Sequence, residues 1–253
     1  MRGFLQSASA LTTKSLCRAS YSALRASLGL GLGLALGASL GLTTAAQAQI
    51  SAAIGVQSDY RFRGVTLTDR QPVVTLDLAY DHPSGFYAGG SAIGVNADGF
   101  RALGFIEYAG YARPVGRDLS LDVGVNNQNL TQYASKFYSL NYSEFYVGVI
   151  GRHLSAHVYY SPNYIRPGID ALYADIDGSM KPAENWRLFA HAGTTAPIGG
   201  PPGRHQRYDL RAGVARQFGS FELQASVTST TPAPPAVTPP ERTALVFGAN
   251  WFF

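Results

Sequence analysis

Apolar and polar residues alternate with a period of two through most of the chain after residue 49, and a helical period is sustained nowhere. In 71–81 the even positions are Pro72, Val74, Leu76, Leu78 and Tyr80, set against Thr75, Asp77 and Asp81. In 119–126, Leu119, Leu121, Val123 and Val125 oppose Ser120, Asp122, Gly124 and Asn126. Segments 154–160, 171–180 and 221–227 repeat the pattern. Such alternation marks strands whose two faces meet different media. Marking every such run gives twelve strands: 50–60, 71–81, 86–96, 102–113, 119–128, 138–150, 154–163, 171–180, 186–195, 206–217, 220–229 and 243–253.

Most of these runs have about the 9–11 residues that a tilted strand needs to cross a bilayer. Their connectors alternate in length: short at 82–85, 114–118, 151–153, 181–185 and 218–219, longer at 61–70, 129–137 and 230–242. Only 97–101 is short where a long one is expected. The pattern predicts an all-β fold, a transmembrane antiparallel up-and-down barrel of about twelve strands, with both termini on the short-turn side. A soluble β-sandwich also alternates, but its polar face meets bulk water and is rich in Lys and Glu. Here the only lysines after residue 49 are Lys136 and Lys181, and Ser, Thr, Asp, Asn and Gly make up most of the polar face. An enclosed lumen suits that composition better. Tyr and Phe, 15 and 13 in number, supply the aromatic girdles such a barrel carries at its two interfaces. The last strand places Leu245, Phe247, Ala249, Trp251 and Phe253 on one face. Phe247, Trp251 and Phe253 resemble the insertion signal read by barrel-assembly machinery.

Charge sharpens the picture. The chain has 20 Lys+Arg and 16 Asp+Glu, and Arg2, Lys14, Arg18 and Arg25 all precede the first acidic residue, Asp59. The formal charge of +4 therefore lies wholly in the N-terminal segment, and residues after it balance. A nucleic-acid partner loses its electrostatic support. The basic segment leads into an uncharged Leu/Gly/Ala run at 28–42 and the small-x-small sequence Ala46-Gln47-Ala48. That order predicts a secretory signal peptide over 1–48, exported by the Sec route and cut between Ala48 and Gln49, rather than a membrane anchor. The barrel domain is then 49–253. Cys17, the sole cysteine, falls in the leader, so no disulfide is expected after it.

If the apolar strand face meets lipid, the opposite face lines the lumen. That count turns Asp77, Glu107, Asp122, Glu144, Asp175, Asp177, Asp209 and Glu222 inward, with Arg187 and Arg211. Inward is the safer side, since a charge on the lipid face at mid-membrane costs up to about 2–4 kcal/mol. A wall so acidic favours cations, although the same groups can also bond to one another and plug the lumen. Just past the first strand, Asp59 is placed to pair with Arg61 or Arg63, and Gly64 can adopt a backbone shape that other residues resist. This cluster reads either as a constriction or as a folded outer loop fixing the barrel seam. The proline-rich 230–242 reads as a stiff exposed loop.

Several segments resemble the TorF-type family of proteobacterial porin-like proteins. They are Ser58-Asp59-Tyr60-Arg61-Phe62-Arg63-Gly64-Val65 with Thr68-Asp69, Asp81-His82-Pro83-Ser84-Gly85-Phe86-Tyr87-Ala88-Gly89, Asn141-Tyr142-Ser143-Glu144-Phe145-Tyr146-Val147-Gly148, and Tyr159-Tyr160-Ser161-Pro162-Asn163-Tyr164. The resemblance implies an outer-membrane barrel in a Gram-negative bacterium and brings no catalytic residues. A porin-like passage for small hydrophilic solutes or ions, weakly preferring cations, is the expected function. An outer-membrane hydrolase, using His157, His191, Asp175 and Ser155, is a weaker expectation, because no nucleophile elbow or zinc motif is present. An occluded structural or adhesive barrel is the third. Lipid, the assembly machinery and small solutes are the expected partners, and no cofactor or metal is expected. Deleting Phe253 should lower the yield of heat-modifiable barrel in the outer membrane, as measured by electrophoresis of membrane fractions with and without boiling.

Overall fold

The computed structural model describes residues 49–96, 99–130, 140–165, 167–198, 206–231 and 242–253. The predicted leader with its Ala48–Gln49 cut, Arg166, and most of the 129–137 and 230–242 connectors lie outside these residues. The first half of the chain forms β1 (Gln49–Gln57), β2 (Arg61–Phe62), β3 (Val65–Thr66), β4 (Val73–Asp81), β5 (Phe86–Asn96), β6 (Phe100–Pro114) and β7 (Leu119–Leu130). The second half forms β8 (Leu140–Gly151), β9 (Leu154–Ser161), β10 (Ala171–Met180), β11 (Trp186–Pro197), β12 (Arg207–Phe218), β13 (Phe221–Thr231) and β14 (Thr243–Phe252). Every strand except β2 and β3 joins one closed antiparallel barrel of twelve, in which β1 pairs with both β4 and β14. The β2–β3 pair is a separate hairpin.

The alternation works as lipid demands. On β4, Val74, Leu76, Leu78 and Tyr80 are exposed while Val73, Thr75, Asp77 and Ala79 between them are buried. On β7 and β8, Leu119, Leu121, Val123, Val125, Phe145, Val147 and Val149 make the same outward wall. A continuous apolar band of this kind would drive aggregation in water and is matched only by hydrocarbon. The seam closes where Ala53–Gln57 pair with Gly248–Phe252, and Ala52 and Phe253 exchange backbone hydrogen bonds of 3.3 and 3.1 Å. Phe247, Trp251 and Phe253 point outward there, with the last two rings in edge contact at 5.6 Å.

One inward assignment is overturned. Glu107 shares the outer face of β6 with Phe105 and Ala109, while its neighbour Tyr108 is buried. The cause is a bulge: Ile93 pairs with Gly104 but Gly94 pairs with Ala102, so Leu103 is an extra residue in the ladder. Gly104 takes φ +147°, a backbone state that side chains disfavour, and a Cβ there would strike the Asn129 carbonyl. An extra residue reverses which parity faces inward, so a count begun at Phe100 or Ala102 puts Glu107 on the wrong side. Asn127 and Ser143 follow Glu107 across the register and hydrogen-bond to each other at 3.0 Å. The three form a polar stripe on the outer wall.

Aromatic rings project into the interior, and glycines make room for them. A Cβ on Gly89 would collide with the Tyr108 ring, one on Gly110 with Tyr87, one on Gly124 with Tyr146 and one on Gly148 with His157. Tyr87, Tyr108, Tyr146, Tyr159 and Tyr173 thereby pack into an inner belt. Nearer the loop end, a second, more apolar cluster joins Val73, Ile93, Val95, Leu103, Leu130 and Tyr142 to Tyr60 and Phe62 of the hairpin.

Because Glu107 faces outward, Glu107→Leu should leave the barrel folded and raise its unfolding free energy in urea by about 1 kcal/mol, within the range for lipid-face charges. Asp77→Leu, on the buried side, should lower it.

Candidate functional site

The hairpin between β1 and β4 turns into the barrel. Asp59 organises its base: Oδ2 accepts from Arg61 Nε at 2.6 Å, and Oδ1 accepts from Thr66 Oγ1 at 2.6 Å and Thr68 Oγ1 at 3.1 Å. Tyr60 N donates to Thr68 Oγ1 at 3.0 Å. Arg63 and Gly64 form the tip, with φ +47° and +74°. A Cβ at Gly64 would lie 2.7 Å from Thr230 Cβ and 2.9 Å from the Ser229 carbonyl, so the tip presses against β13. Of the two pairings open to Asp59, the fold makes the one with Arg61. Arg63 reaches across the lumen instead.

Its partner is Glu144 on β8. Arg63 Nη2 donates to both carboxylate oxygens at 2.8 Å, and the guanidinium lies over the Tyr173 ring of β10, 3.7 Å from its centroid. Both residues of the pair are buried, at 5 and 2% exposure. An ion pair removed from water this far depends on good geometry and on every remaining contact, and a desolvated guanidinium over a tyrosine adds about 2 kcal/mol. The cluster is thus a turn folded inside the barrel.

The wall carries the rest. Asp77 on β4 accepts from Thr75 at 3.1 Å and from Ser91 of β5. Asp122 on β7 accepts from the Tyr87 hydroxyl at 2.6 Å and bonds His157 Nε2 of β9 at 3.1 Å. A carboxylate only accepts, so His157 carries its proton on Nε2 there. At the turn end Arg187 grips Glu222 with bonds of 2.7 and 3.4 Å, and Arg211 lies over the Phe189 ring and donates to Ser226 at 3.2 Å. His191 on β11 stands between Asp177 at Nδ1 and Asp209 at Nε2, each at 2.9 Å. Asp175 sits beside them on β10, wholly buried.

Seven of the eight carboxylates assigned inward therefore face the interior, with Arg187 and Arg211; Glu107 does not. The hairpin brings in two guanidiniums that a count along the wall leaves out, Arg61 and Arg63. Nothing local announces the Arg63–Glu144 contact, which spans 81 positions. The tyrosine belt had a visible signal in the inward glycines set beside Tyr and His. His157 and His191 both bond to carboxylates rather than to a serine hydroxyl.

The sequence model of a bacterial family described as "Bacterial protein of unknown function (Gcw_chp)" matches residues 42–253. The chain belongs to that family. This Gcw_chp protein shares its fold with solved porins. KdgM porin superposes with a TM-score of 0.51 at 11% identity, over 80% of this chain and 99% of that one. NanC porin gives 0.53 at 7% identity, over 80% and 99%. At such identities the likeness concerns the barrel alone. No curated protein matches the Gcw_chp chain in sequence.

Removing one partner of a buried pair costs about 3–5 kcal/mol. Glu144→Gln should destabilise the Gcw_chp barrel on that scale in urea unfolding. The double variant Arg63→Met/Glu144→Leu should lose less than the sum of the two single changes.

Proposed function

We propose that the protein is a porin-like channel of a Gram-negative outer membrane, reached by Sec export and inserted by the barrel-assembly machinery. It passes small hydrophilic solutes or ions by diffusion and prefers cations. The proposal includes the finer likeness to TorF-type porin-like proteins and assigns the barrel no catalytic role. The observation that carries it is the charge of the lumen. Asp77, Asp122, Glu144, Asp175, Asp177, Asp209 and Glu222 face inward, where Glu144 meets Arg63 and Glu222 meets Arg187. An acidic excess remains along the path, and rings of carboxylates attract cations where bulk salt screens them poorly.

The hairpin sets the width of that path. A twelve-stranded barrel lies between the eight-stranded kind filled by side chains and the sixteen-stranded kind with an open channel, so one inserted turn decides how much space is left. Complete burial of Asp77, Asp122 and Thr75 favours a second reading, a structural barrel whose lumen stays occluded.

Planar-bilayer recordings of the purified protein separate the two. The expected result is a small conductance with a cation-selective reversal potential. Arg63→Ala should enlarge that conductance, and Asp177→Asn should move the reversal potential toward anions. A wild-type channel selective for anions sinks the charge argument. Silence from both wild type and Arg63→Ala leaves the occluded barrel.

A further inference from the structure

Asp175, Asp177 and His191 each place one ligand atom within 4.8 Å of the other two. Acidic neighbours are common in a lumen, and proximity alone would mean little. Two further features set this group apart. Both carboxylate oxygens of Asp175 lack any hydrogen-bond partner, although the side chain is fully buried; His157 Nδ1 lies 3.8 Å from Oδ1. Asp177 Oδ2 lacks one too. A buried carboxylate left without a hydrogen bond is among the most costly things a fold can hold, and Asp175 and Asp177 each bring a carboxylate oxygen within 4.8 Å of the other and of a His191 nitrogen.

The second feature is how His191 is held. Its Nε2 faces Asp209 Oδ1 at 2.9 Å, and the Tyr173 hydroxyl donates to the same Asp209 oxygen at 3.2 Å. A carboxylate behind the far nitrogen of an imidazole fixes the tautomer and aims the other nitrogen, which is how metal-binding histidines are supported. Here the other nitrogen is Nδ1, and it points at Asp177 Oδ1.

We propose that Asp175, Asp177 and His191 form a binding site for one divalent first-row metal ion, with Asp209 as the residue that orients His191. One imidazole nitrogen and two carboxylate oxygens are a donor set for Zn²⁺, Mn²⁺ or their neighbours rather than for Ca²⁺ or Mg²⁺, which take oxygen. Metal–ligand bonds of 2.0–2.2 Å need donors about 3.3 Å apart, so His191 Nδ1 and Asp177 Oδ1, 2.9 Å apart, open slightly as the ion replaces the Nδ1 proton. Two carboxylates and a neutral imidazole cancel its charge, which removes the uncompensated burial of Asp175. Access comes through Asp177, whose side chain is 31% exposed. Arg211, opposite His191 in the register, is turned to Phe189 and Ser226. The site does not depend on whether the lumen conducts.

The test uses the full barrel purified from outer membranes in detergent and stripped with a chelator. Zn²⁺ is titrated calorimetrically and Co²⁺ by its visible absorption bands. The expected result is one ion per chain. Asp175→Asn and His191→Gln should each weaken binding at least tenfold, Asp209→Asn by tenfold to a hundredfold, and Glu107→Gln on the outer wall not at all. Heat-modifiable mobility checks that each variant folds. Should the lumen variants fail to fold, the wild type still decides: Zn²⁺ should raise its unfolding temperature by mass action, and a chelator should reverse the rise. Absence of stoichiometric Zn²⁺ and Co²⁺ binding by wild type overturns the site, as does undiminished binding by folded Asp175→Asn and His191→Gln.

Discussion

Hydrocarbon offers no partner to a backbone N–H or C=O, and a sheet placed in it must therefore have no edge. Everything else in this molecule follows from the closure of β14 on β1. The seam is the shorter of the two pairings β1 makes, five positions with β14 against nine with β4. Outward aromatics at Trp251 and Phe253 and the bonds between Ala52 and Phe253 reinforce it. Closure fixes two environments at once, lipid outside and an enclosed interior, and the period-two sequence sorts its side chains between them.

That sorting is why the fold could be read from the chain. The twelve barrel strands lie within a few residues of where alternation puts them, and the connectors alternate as expected. Lipid is an unforgiving selector, and it leaves a clear pattern on residues such as Leu121, Val123 and Val125. Glu107 escaped because the signal is a parity, and one extra residue at Leu103 inverts a parity without disturbing the apolar count. Bulges leave only a glycine as their trace, here Gly104.

The interior was legible in kind but not in arrangement. Alternation could say that Asp122, His157 and Asp175 face one another across a lumen; it could not say that rings crowd them. Gly89, Gly110, Gly124, Gly148 and Gly193 each admit a tyrosine or histidine from the adjacent strand, which turns a polar wall into a packed one. The contacts that matter most there, Arg63 to Glu144 and Tyr173, join a loop to strands far along the chain. Their register depends on where a hairpin tip lands, and no local pattern encodes that.

The hairpin also imposes an order on assembly. It is attached to β1, yet the Glu144 and Tyr173 it grips belong to β8 and β10, and the Thr230 its tip touches belongs to β13. Contacts so distant in sequence form late, because the chain between them must first be ordered. The Arg63 contacts need β8 and β10 in place behind the hairpin, so the ion pair ties the beginning of the barrel to the middle of its wall.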